Sequence, residues 1–134
     1  MPLSRLRMRH VYAAAALLAA RVWLRLAPGQ AVRWASRRTA VASVPSPARE
    51  DRTASAIVAV SVRGPVTFTC LEQGLALVSL LAMQRMPARL VIGVSRTPLR
   101  AHAWVEGDGC VLLGGTQAHD MTPLTGTASS PCRG

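Results

Sequence analysis

The chain has 134 residues, half of them hydrophobic but only 4% aromatic, which suits one domain with a core of Val, Leu and Ala rather than of rings. Its net charge of +10 comes from arginine without any lysine, with nine Arg and no Asp or Glu in residues 1–49 but seven Arg against six acids in 50–134. The basicity therefore belongs to the N-terminal segment, and with no zinc spacing, RNA-binding aromatic signature or helix-turn-helix pattern, nucleic acid is set aside as its partner in favour of acidic surfaces.

In chain order, MPLSRLRMRH followed by VYAAAALLAA imitates a signal peptide. The apolar run is too short to span a bilayer, and Arg21 and Arg25 interrupt its continuation. An arginine-rich helix packed on the domain or resting peripherally on a membrane is the expectation, with a signal cleaved among Ala13 to Ala20 as the alternative. Val11, Ala15, Leu18, Val22 and Leu26 recur at helical spacing and predict a helix over 9–26, stopped by Pro28-Gly29. A second helix is predicted over about 30–42. Ser46 as N-cap and Pro47 in the first turn open a third over Ala48 to Val62, although its β-branched end, IVAVSV, also suits a strand.

Gly64 and Pro65 break that element, and VTFT is an extended approach to Cys70. Leu71, Leu75, Val78, Leu81 and Ala82 then describe one helical face, ending near Met86-Pro87. ARLVIGV is a strand. LRAHAWVE alternates, with His102, Trp104 and Glu106 on one face and Ala103 and Val105 on the other. GDG turns the chain and CVLLG returns antiparallel. The organisation is a basic helical segment (1–46), a core (47–115) and a polar tail (116–134). The class is α+β, with a helical N-terminal half and a helix packed on a small antiparallel sheet.

Cys70 and His102 carry the chemistry. A thiol and an imidazole in contact make a nucleophile and its base, and the free N–H groups at a helix start stabilise an anion there. Either residue alone reads more readily as core filler; the two together, at a helix start and on an alternating strand, point to a site. Cys110 and Cys132 complete an odd set without CxxC spacing, which argues against disulfides and metal ligation and for a reduced, cytoplasmic setting. His119 and His10 are set aside as tail and leader residues, and no cofactor is called for.

The third member of a triad is harder to find. A turn on Gly107-Asp108 makes residue 106 oppose 109 and His102 oppose 113 or 114. At about 3.3 Å per residue Asp108 lies roughly 20 Å along the strand from His102 and Glu106 about 13 Å, so Asp108 reads as a turn residue and Glu106 as an arginine partner or part of the site's rim. Asp120, folding back after the strand, is the candidate orienting acid. Gln117, a backbone carbonyl, a water or a residue from another region remain alternatives.

The lead-in ASAIVAVSVRG, the CLEQGLAL run, the segment MPARLVIGVSRTPLRAHAWVE and the ending VLLGG together resemble the leader peptidases of lasso peptide biosynthesis, over about residues 52–115. The resemblance implies a transglutaminase-like, papain-related cysteine peptidase. A chain of this size matches the split, stand-alone form of that family. Its implied partners are the leader of a ribosomally made precursor, bearing a threonine shortly before the cut, a separate leader-recognition protein and an ATP-dependent lasso cyclase. The N-terminal arginines, Arg33, Arg37 and Arg38 among them, would cradle the leader or dock the recognition protein. Relatives carry an acid about twelve positions after the histidine, where this chain has Gly114. That departure keeps open a catalytically degenerate scaffold, and the same thiol and imidazole would equally serve a transglutaminase-type acyltransferase.

Overall fold

The computed structural model describes residues 3–37, 47–64, 66–86, 88–96, 99–107, 110–113, 122–123 and 130–131. Four helices, α1 (Leu3–Leu26), α2 (Pro28–Arg37), α3 (Pro47–Arg63) and α4 (Cys70–Met83), precede five strands: β1 (Arg89–Arg96), β2 (Leu99–Glu106), β3 (Cys110–Leu113), β4 (Thr122–Pro123) and β5 (Ser130–Pro131). The sheet order is β4-β1-β2-β3-β5. All neighbours are antiparallel except β3 and β5. The α+β class and the helix-on-sheet layering agree with expectation.

α4 is the centre of the molecule. Gly74 to Val78 and Leu81 are all buried, because α1, α2 and α3 cover the sides that the sheet does not. Small residues make that crowding possible: Ala13 and Ala20 of α1 and Ala31 and Ala35 of α2 enter the same core cluster as Leu75, Leu77 and Leu81. The helices of the basic segment thus share one core with α4.

α1 begins at Leu3 and buries a different face from the one its periodicity suggested. Ala13, Leu17 and Ala20 point into the core, whereas Val11, Leu18, Val22 and Leu26 are 61, 52, 55 and 80% exposed. The helix is apolar on two sides, so period alone cannot choose between them, and the alanine-rich side permits the closer approach. The β-branched end of α3 is helical throughout, with Ala54 and Ile57 buried and the Ser61 hydroxyl donating to the Ile57 carbonyl. α2 starts at Pro28, and residues 38–42 of the predicted helix lie, with Ser46, outside the described residues.

α4 ends earlier than its sequence pattern suggested, in a Schellman arrangement: Met86 N–H donates to Leu81 O at 2.8 Å and Arg85 N–H to Ala82 O at 3.0 Å. Arg85 has φ 58°, left-handed backbone held by a residue that is not glycine. Two further corrections concern the sheet. Glu106 pairs with Val111 and Val105 with Leu113 through a register shift, so Leu113 does not oppose His102, and residue 114 lies outside the described residues. The polar C-terminal segment also contributes both flanking strands, β4 beside β1 and β5 beside β3. Among the described residues no helix is long and apolar enough to cross a membrane.

Candidate functional site around Cys70

Cys70 is the first residue of α4, and the sequence around it fixes that start. Thr69, extended at φ −74° and ψ 163°, is the N-cap of a complete capping box. Its hydroxyl accepts from Glu72 N–H at 3.2 Å, and its own N–H donates to Glu72 Oε1 at 2.8 Å. A helix start has four N–H groups without helical acceptors, and the box engages those of Thr69 and Glu72. The other two belong to Cys70 and Leu71. The thiol therefore stands beside the two donors that the cap leaves for an anion, such as the oxygen of a tetrahedral intermediate.

Arg21 of α1 locks this turn from outside. Its guanidinium donates to both Glu72 oxygens, at 2.7 Å (Nε to Oε2) and 3.3 Å (Nη2 to Oε1), and also to the Thr67 carbonyl. It lies 4.6 Å from the centroid of the Phe68 ring. The hydrogen bond from Arg21 holds the Glu72 carboxyl below its ordinary range against the upward push of burial, and the same bond raises Arg21. Gln73 completes the approach, its side-chain Nε2 donating to Phe68 O at 3.1 Å. Thr69-x-x-Glu72 is a readable cap signature, and it was the signal that could have found Glu72; the Arg21 contact, 51 residues away, carries no local sequence signal.

Gly74, one turn below Cys70, sets the helix on the sheet. A Cβ there would lie 2.6 Å from Leu90 Cδ1 and 3.5 Å from Val105 Cγ2, two residues paired across β1 and β2. Because α4 ends at Met83 and β1 begins at Arg89, with Gly74 seated on Leu90 and Val105, the Cys70 end of α4 points toward the Gly93–His102 end of the strand pair. One helical turn, about 5.4 Å, brings Cys70 to the level of Ala103, which is buried in the cluster that Cys70 packs against. His102 is the next residue along the strand.

Alternation then decides where the imidazole points. Ala103 and Val105 face α4, so His102, Trp104 and Glu106 project from the other face of β2. There the His102 and Trp104 rings stack with centroids 6.4 Å apart. Trp104 Nε1 donates to Glu106 Oε2 at 2.9 Å, and Arg89 Nη2 bonds Glu106 Oε1 at 3.1 Å. Trp104 and Glu106 are each 1% exposed, so both belong to the interior, with Glu106 paired to an arginine. Cys70 packs against the face of the sheet that carries Ala103 and Val105, whereas the His102 side chain projects from the opposite face of β2. Asp120, Gly114, Gln117, Asp108, His119 and Cys132 lie outside the described residues. Among the described residues no group of three or more His, Cys, Asp or Glu is arranged to hold a metal.

No curated protein and no solved structure matches the chain at a significant level. A family model described as the transglutaminase-like superfamily matches residues 5–126, including the basic helices, α4 with its leading cysteine and the histidine strand. The chain belongs to the transglutaminase-like superfamily.

Proposed function

We propose that this protein is a cysteine peptidase that removes the leader from a ribosomally synthesised lasso peptide precursor, working with a separate leader-recognition protein and upstream of an ATP-dependent cyclase. The observation that carries the peptidase reading is Cys70 at the capped start of the central helix, beside the N–H groups of Cys70 and Leu71, in a transglutaminase-like domain. The lasso precursor as substrate is supported by the CLEQGLAL, MPARLVIGV and AHAWVE segments.

In this mechanism the Cys70 thiolate attacks the scissile carbonyl, and the two N–H groups receive the oxyanion. His102 takes the thiol proton and returns it to the leaving amine, and water then releases the acyl group. Asp120 is assigned as the group that orients the imidazole. Contact between thiol and imidazole requires the His102 ring to leave its stack on Trp104 and turn toward the α4 side. A second reading follows from that same stack: a non-catalytic scaffold would keep the ring where it is.

Mass spectrometry of the cognate precursor, incubated with this protein and its recognition partner, separates the readings. The peptidase gives cleavage at one bond, with a mass gain of one water across the products, abolished in both Cys70→Ala and His102→Ala. Product carrying an amine in place of water identifies an acyltransferase. An intact precursor, with leader still bound by the recognition partner, identifies the scaffold.

A further inference from the structure

α1 presents an uncovered apolar stripe along its outer side. Met8, Val11, Leu18 and Val22, each more than half exposed, stand with exposed Ala15 at successive intervals of three and four residues. That is the a/d spacing of a helix seam. The opposite side of α1 is already committed to the core through Ala13, Leu17 and Ala20. An ordinary amphipathic helix has one apolar face; this one has two.

The flanks of the stripe say what fits it. Arg7 and Arg25 are exposed on one flank. On the other, Arg9 and Tyr12 face Arg49 and Arg52 of α3 across a groove of about 420 Å³, floored by Ala56 and Leu80 and rimmed by Met83. Arg49, Arg52, Thr53 and Ala56 recur on one side of α3, whereas Glu50 and Asp51 fall on others and do not line the groove. α1 itself contains no carboxylate. Pairing with a second copy would leave arginines facing arginines on both flanks, and a flat lipid surface does not fill a groove.

We infer that the outer side of α1 and its adjoining groove form a docking surface for an amphipathic helix of a partner protein, one whose apolar a/d stripe is bordered on both sides by Glu or Asp. The apolar stripe supplies the contact area and the two arginine flanks fix orientation and reject basic partners. This inference is independent of the reaction proposed above.

The test uses the full chain and a fluorescein-labelled helical peptide with Leu at a and d and Glu at e and g, followed by anisotropy at low and high salt. Expected is saturable binding that weakens with salt and falls by about tenfold or more in Leu18→Gln/Val22→Gln and in Arg9→Glu/Arg49→Glu. Arg33→Glu/Arg37→Glu on α2, which removes the same charge elsewhere, should leave binding unchanged. A flat titration overturns the inference, as does equal weakening by the α2 control or equal binding of a peptide with Lys at e and g. Two other outcomes also overturn it. Tighter binding to phosphatidylglycerol vesicles than to the peptide, lost in the stripe variant, makes the surface a membrane contact. Sedimentation as a dimer that dissociates in the stripe variant makes it self-association.

Discussion

The two ends of α4 are closed in different ways. At Cys70 the first turn is held by side chains: Thr69 and Glu72 cap each other, and Arg21 reaches across from α1 to grip Glu72 and the approaching backbone. At Met83 the last turn is closed chiefly by backbone, with one side-chain bond from Gln84 Nε2 to Thr53 Oγ1 at 3.2 Å, an arginine in left-handed φ and a groove open beside it. The end beside the thiol is held by a network of side-chain bonds, whereas the far end keeps an arginine in left-handed backbone. Rigidity has been placed beside the thiol, where the proposed reaction would need a preorganised group.

That contrast can be broken most forcefully at Gly74. Leucine there meets Leu90 Cδ1 from the first added carbon and should lift the Cys70 end of α4 off the sheet, costing about 1–3 kcal/mol in urea denaturation. Alanine should be nearly neutral, because Leu90 can shift and helix propensity improves by about 1 kcal/mol. Thr69→Ala should cost about 1 kcal/mol, with serine restoring most of it; no loss in the alanine variant would mean that Arg21 alone fixes the turn.

Glu72 sharpens the comparison through pH. Its carboxyl is held below the ordinary range in the folded chain, so its contribution is complete above the unfolded value of about 4.3 and is lost as pH falls through the lower folded value. The difference in Tm between wild type and Glu72→Gln should therefore be constant near neutrality and close in acid. A gap that persisted in acid would assign the effect to packing. The smallest expected effect lies at the other end: Arg85→Gly should stabilise by about 1 kcal/mol as left-handed strain is relieved. A loss of stability there would mean that the arginine side chain contributes more than its backbone costs.

What could be read from the sequence was what local pattern determines. Cys70 at a helix start followed from the Gly64-Pro65 break and the apolar face after it, and the alternation of LRAHAWVE placed Trp104 and Glu106 together, with Glu106 paired to an arginine as expected. Three kinds of information were not local. The buried face of α1 depends on which side of a doubly apolar helix meets α4. The pairing of Glu106 with Val111 rather than with residue 109, and the further shift between Val105 and Glu106, are irregularities that no alternation reveals, and together they move Leu113 away from His102. β4 and β5 are two residues each, too short for any period to show. The site was legible to the same extent: the cysteine and its helix were, the Arg21 clamp was not, and the side of β2 from which the imidazole projects follows only once α4 is seated on Ala103 and Val105.

Those two short strands also decide how this protein can meet an extended chain. Each contains a proline, Pro123 in β4 and Pro131 in β5, and each is an outermost strand of the sheet. Proline has no N–H to offer a further strand, so β4 and β5 are themselves poor templates for β-augmentation and for edge-to-edge aggregation. Removing the chain beyond residue 129 would strip one of these guards and bare the β3 edge.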